Sequence, residues 1–196
     1  VLAVSQAITT GGGGDSSSVT LTADKMTIGA GVTTGTSGIA TLAPESTVDA
    51  GDAILLGGAD ATNTLGLTDA ELDFVTADTL RIGATDAGAI TVSAALTPGS
   101  VTNLSLLSDE GIGDDTNTGS IAVANLLLDV DTSVDLSTGN DVDSLAASIT
   151  GTGTLTFGDT DGLTVTTVDG VNGVTTTAGD ISITAGGDDS VLAVSQ

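Results

Sequence analysis

The residues of this chain best equipped for chemistry are its carboxylates. Asp129, Asp131, Asp135, Asp141 and Asp143 all fall within the run LLLDVDTSVDLSTGNDVDS, and two pairs, Asp129/Asp131 and Asp141/Asp143, stand two residues apart. Paired carboxylates are the equipment of glycoside hydrolysis, in which one protonates the leaving group and the other acts as base or nucleophile. Hard oxygen ligands at this density also suit Ca2+, which makes the five aspartates the candidate metal site and Ca2+ the candidate cofactor. On a strand, however, side chains two apart share one face, so each pair also reads as solvated surface charge. The partners that catalysis would need are missing. There is no His, Cys, Tyr or Trp, the only aromatics are Phe74 and Phe157, and the only cations are Lys25 and Arg81. With no His, Cys or Tyr the common general bases and nucleophile partners are missing, as are sugar-stacking platforms, and the chain is not expected to be an enzyme.

Other motifs are weaker. Gly11–Asp15 (GGGGD) and Gly186–Asp189 (GGDD) resemble pieces of the Ca2+-binding nonapeptide repeat, but neither recurs at nine residues. Thr-X-Thr occurs at Thr20-Leu21-Thr22 and across Thr152–Thr156, yet not as one long regular array, so outward Thr is read as a strand former on a wet face. With 26 acidic residues against two basic ones the net charge is −24. That balance excludes phosphate-directed binding to nucleic acid and to anionic membranes. No run approaches the roughly 18 apolar residues of a membrane helix, so membrane insertion is not expected.

The elements that must position these aspartates are short strands. Within Thr79–Ser108, Leu80-Arg81-Ile82, Ile90-Thr91-Val92 and Leu104-Ser105-Leu106 each set two aliphatics around one polar residue. This period of two puts one face in a dry core and the other in water. Turn material separates them: Gly83, Asp86-Ala87-Gly88 and Pro98-Gly99-Ser100. The same grammar continues in Val19-Thr20-Leu21, Met26-Thr27-Ile28, Leu155-Thr156-Phe157, Leu163-Thr164-Val165 and Ile181-Ser182-Ile183. Asp109–Ser120 reads as a polar loop and the largest excursion from the coil. Thr68–Phe74 is the best helical candidate, with Thr68 as cap and Glu71 three residues on, and a solenoid corner is the equal alternative. The pairs Asp161-Gly162, Asp169-Gly170 and Asn172-Gly173 suit positive φ, and hairpins there would instead build an antiparallel sandwich. Strands this short favour an all-β parallel β-helix (a β-solenoid). At about twenty residues per coil it would have roughly nine or ten coils and a length of ~45 Å.

Two stretches carry a family resemblance. ILLGGADATNTLGLTDAELDFVTADTLRIGATDAGAITVSAAL (Ile54–Leu96) and LLLDVDTSVDLSTGNDVDSLAASITGTGTLTF (Leu126–Phe157) resemble the repeats of filamentous haemagglutinin-like giant bacterial exoproteins. The resemblance implies right-handed parallel β-helices displayed outside the cell, secreted by two-partner or autotransporter routes.

Val1–Gln6 and Val191–Gln196 are both VLAVSQ, offset by 190 residues. The expectation is one solenoid segment spanning 1–196, about one period of a tandem array with a six-residue overlap, whose partners are further copies end to end. Its role would be that of a stiff acidic rod in a secreted surface fibre. The alternative is an adhesive or Ca2+-stiffened module that contacts matrix or host glycans through loops such as Asp109–Ser120.

Overall fold

In the computed structural model the chain winds as a parallel β-solenoid of about eight turns, right-handed as expected. The structure describes residues 1–11, 14–45, 52–115, 117–188 and 190–195. Residues 12, 13 and 189 of the two Gly-rich motifs, and Gln196 of the second VLAVSQ, lie outside the described residues.

Three strand-bearing faces recur. Along one, Ala53–Leu56, Ile90–Val92, Ile112–Asp114, the start of Val134–Ile149, Leu155–Asp159 and Ile181–Ala185 follow as parallel rungs. Along a second, Val19–Thr22, Ile39–Ala43, Val75–Gly83, Val101–Ser108, Ser120–Val130 and the end of Val134–Ile149 do the same. Short strands between them, including Ile8–Thr9, Val32–Thr33 and Ala95–Leu96, make the third face.

Because each rung is in register with the next, like residues stack. Leu80, Leu104, Leu126 and Leu145 form one inward column, and Ile54, Ile90, Ile112, Val134 and Leu155 another. All are buried in one continuous core. Alternation made this legible, and backbone ladders running along the axis satisfy the N–H and C=O groups that burial would otherwise strand.

Three expectations change. The coils are unequal rather than uniformly about twenty residues: Leu126 pairs with Leu145, Leu80 with Leu104, and Leu155 with Ile181. Corners of unequal length absorb the variation, and the about eight turns are roughly consistent with the nine or ten expected. Secondly, Asp109–Ser120 is no large loop, since Ile112–Asp114 is a paired rung within it. The larger excursion lies at Ala53–Leu67. There Ala53–Leu56 pairs with Ile90–Val92 on one side and with Thr64–Leu67 on the other, so the chain doubles back and sets two rungs on one face. Gly66 permits this: a Cβ there would lie 2.1 Å from the Ala59 carbonyl carbon and 2.2 Å from the Asp60 nitrogen.

The third change is local. Thr167–Val168 and Val171–Asn172 form an antiparallel hairpin, with Asp169 at φ 46° and Gly170 at φ 85°. Two successive positive φ values are what a tight hairpin turn requires. The sandwich topology is absent, but a hairpin does interrupt the coil here. Gly173 also takes a positive φ, whereas Gly162 does not. The predicted helix is present as the single turn Asp69–Leu72, whose Glu71 carboxylate accepts from the Thr68 N–H at 3.0 Å and the Thr68 hydroxyl at 2.7 Å.

Candidate functional site

The five candidate aspartates are spread over the solenoid. Asp129 lies on Ser120–Val130, paired with Ser148, and Asp131 lies in the corner that follows. Both line a shallow recess of about 120 Å³ with Thr85, Ser108, Asp109 and Thr150, and Asp131 accepts from the Thr150 hydroxyl at 2.8 Å. Asp135 stands on a different face, between Gly113 and Thr156. Asp141 and Asp143 are exposed on the same side of one strand, as their spacing requires. Among the described residues no three acidic side chains come together closely enough to hold a metal ion.

Other carboxylates are used as acceptors for backbone that the coil leaves open. Asp60 accepts from the Gly66 N–H at 2.9 Å and the Met26 N–H at 3.1 Å, and Glu71 accepts from the Ile28 N–H at 3.2 Å. Met26–Ile28 pairs on its other edge with Leu2–Val4, so these two side chains replace the missing backbone partners of a rung. At the corner after Leu136, Asn140 donates to the carbonyls of Leu136 (2.9 Å) and Gly158 (3.0 Å) and accepts from the Ile121 N–H at 3.1 Å. Asp159, its in-register neighbour, accepts from the Val142 N–H at 2.9 Å and the Asp161 N–H at 3.1 Å. Burial pushes the Asp159 carboxyl above its ordinary range, and the two backbone donors oppose that rise.

The most developed polar cluster was not visible from spacing. Arg81, Ser105, Leu127 and Ala146 occupy one outward column on four successive coils. The hairpin at Thr167–Asn172 folds down over it. Val168 packs on Leu127 and Ala146, with Val171 beside them. At the tip, Asp169 Oδ1 and Oδ2 accept from Arg81 Nη2 and Nε, each at 2.8 Å, and Oδ2 also accepts from Ser105 Oγ at 2.8 Å. This is the one ion pair among the described residues. The Arg81 guanidinium holds the Asp169 carboxyl below its ordinary range against the opposing effect of burial, with Ser105 assisting. The chain's only arginine is thus occupied by a strap that ties an early coil to a late one.

Neither family models, curated proteins nor solved structures provide a match to this chain. What the geometry offers is a rod whose polar groups stabilise its own backbone, and two ends.

Proposed function

We propose that this chain is a structural segment of a secreted bacterial surface fibre, a stiff acidic rod that continues end to end through further copies. The observation that supports this best is the stacked core: inward columns of Leu, Ile and Val run the length of the solenoid with in-register ladders. Solenoids of this kind are quasi-one-dimensional, so stiffness and length come from repetition rather than from a site. Among the described residues Asp60, Glu71 and Asp159 brace local backbone while Asp141 and Asp143 face water, and a net charge of −24 keeps neighbouring rods apart. The haemagglutinin-like residue pattern supports the extracellular setting. On this reading the protein is not an enzyme, carries no resident cofactor, and binds neither nucleic acid nor membrane.

Electron microscopy of the native material tests the reading. A fibre with an axial period near ~38 Å, from about eight rungs of ~4.8 Å, is expected. Isolated particles with covered ends would overturn it. Glycan-array binding that is lost when exposed corners are changed would favour the adhesive module instead.

A further inference from the structure

We propose that the two VLAVSQ segments are one and the same rung of a continuous rod, so that successive repeats join through a shared strand instead of abutting two finished ends. This rests on the array reading above and specifies its interface.

Both copies form parallel strands, but each uses a different edge. Leu2–Val4 pairs with Met26–Ile28 in the following coil, where Leu2 N–H donates to Lys25 O at 2.8 Å and Val4 O accepts from Gly29 N–H at 2.9 Å. Leu192–Val194 pairs with Leu163–Val165 in the preceding coil, where Val191 O accepts from Leu163 N–H and Ser195 N–H donates to Val165 O, both at 3.0 Å. Laid onto a single hexapeptide, the first two bonds use its second and fourth residues and the last two its first and fifth. No group is used twice. Alternate residues of a pleated strand direct their N–H and C=O groups to opposite sides, so one strand can make all four bonds at once.

The side chains agree. Leu192 and Val194 are in register with Leu163 and Val165, which point into the core. Leu2 and Val4 point inward as well, and Val4 is buried. The same two residues therefore face the core in both copies. At the second copy nothing covers them: Leu192 is 46% and Val194 72% exposed, with Ile181 and Val191 exposed beside them.

Sharing the rung also fixes the phase of the joint. Between Leu192–Val194 and the next repeat's equivalent of Met26–Ile28, one turn must supply the equivalents of Ile8–Thr9 and Val19–Thr22. Leu192–Val194 continues the second face over Leu163–Val165, which with Val174–Thr176 covers the strand end Ser144–Ile149, and the chain next reaches the first face, whose last rung is Ile181–Ala185. The segment that follows the shared rung therefore returns to the first face and covers the exposed Ile181.

The test compares the 196-residue chain with a chain of two periods joined through a single VLAVSQ. In the shorter chain, amide exchange is slow at Ala193 and Ser195 but fast at Leu192 and Val194. In the joined chain, protection at Leu192 and Val194 rises on the order of a hundredfold or more, and scattering gives one straight rod of twice the length. Leu192→Pro leaves the melting temperature of the shorter chain unchanged, because that N–H faces an open edge. In the joined chain it returns the Val194 amide to open exchange rates, position 192 then carrying no N–H. A straight double-length rod with Leu192 and Val194 unprotected would overturn the shared rung and leave the array standing. Two rods on a free hinge would also overturn the joint, whereas a shorter chain that is not elongated would overturn the array as well.

Discussion

Removing the charge at the tip of the strap tests whether the hairpin truly fastens the coils beneath it. Asp169→Asn is the cleanest change, because Asn tolerates φ 46° and Asn-Gly suits a turn with two positive φ values. The turn survives and only the charge is lost. The original carboxylate takes two bonds from Arg81 and one from Ser105, all at 2.8 Å. Hydrogen bonds to a charged group are worth roughly 1.5–3 kcal/mol when well sheltered. Asp169 is 12% exposed but Arg81 is 36% exposed, so water screens the pair and the coupling should be about 1–2 kcal/mol. A double-mutant cycle with Arg81→Met, read by urea denaturation, isolates that figure. Amides of Thr167–Asn172 should exchange about 5–30 times faster in Asp169→Asn, the factor that 1–2 kcal/mol implies. A coupling below about 0.3 kcal/mol, with exchange in the hairpin unchanged, would show that the strap is held by Val168 alone and that the ion pair is incidental.

Four further outcomes follow from the same geometry. Leu127 faces outward yet is 3% exposed because the hairpin covers it, so Leu127→Ser should loosen hairpin exchange while Leu126→Ala, in the inward column, costs about 2–5 kcal/mol of global stability. Gly66→Ala drives a Cβ into the Ala59–Asp60 backbone, and calorimetry should show a loss of more than about 2 kcal/mol. Stability should rise on mild acidification. The Asp159 carboxyl is raised, so its contribution is complete below its unfolded value and lost as pH climbs through the folded one. Asp169 is lowered, so its contribution is present above its unfolded value, about 3.9, and lost only as pH falls through the lower folded one. Melting temperature against pH should therefore peak below neutrality and collapse only in strong acid, and a monotonic fall from pH 7 would contradict the raised Asp159.

The parts of this fold that were legible are those set by side-chain period. Leu80-Arg81-Ile82, Ile90-Thr91-Val92 and Leu163-Thr164-Val165 alternate because each rung has one dry and one wet face, and all three are rungs. The length of each coil was less legible, because corners are polar and vary in length without changing that period. The fold-back at Ala53–Leu67 was hidden for a different reason: a rung followed by another rung looks the same whether the second lies above or below the first. Asp169-Gly170 showed itself as a turn, but not its target 88 residues away. Finding Arg81 required the register through Ser105, Leu127 and Ala146, which no local pattern contains. One signal was available in hindsight. Leu127 places a large aliphatic on an outward strand position, and an outward leucine wants a cover.

The scattered aspartates gain a collective meaning once the rod's length is known. About eight coils at ~4.8 Å make ~38 Å, so a net charge of −24 amounts to one charge per ~1.6 Å of axis. Duplex DNA carries one per ≈ 1.7 Å and condenses a counterion atmosphere for that reason. In water two charges interact with an energy equal to RT at ~7 Å, far beyond this spacing. An array of these repeats must therefore gather cations along its length without any chelating site. That accounts for an acidic solenoid in which no three described carboxylates converge on an ion. It also separates two meanings of calcium dependence. A condensed atmosphere takes up Ca2+ and Mg2+ alike, in proportion to charge, and gives both up to excess sodium. A built site at Asp129, Asp131, Asp135, Asp141 and Asp143 would instead saturate at a fixed stoichiometry and prefer Ca2+, because Mg2+ dehydrates reluctantly. Equilibrium dialysis against both ions at matched ionic strength decides between them. Equal uptake that falls as sodium rises is the expected result, and stoichiometric, sodium-resistant Ca2+ would refute it.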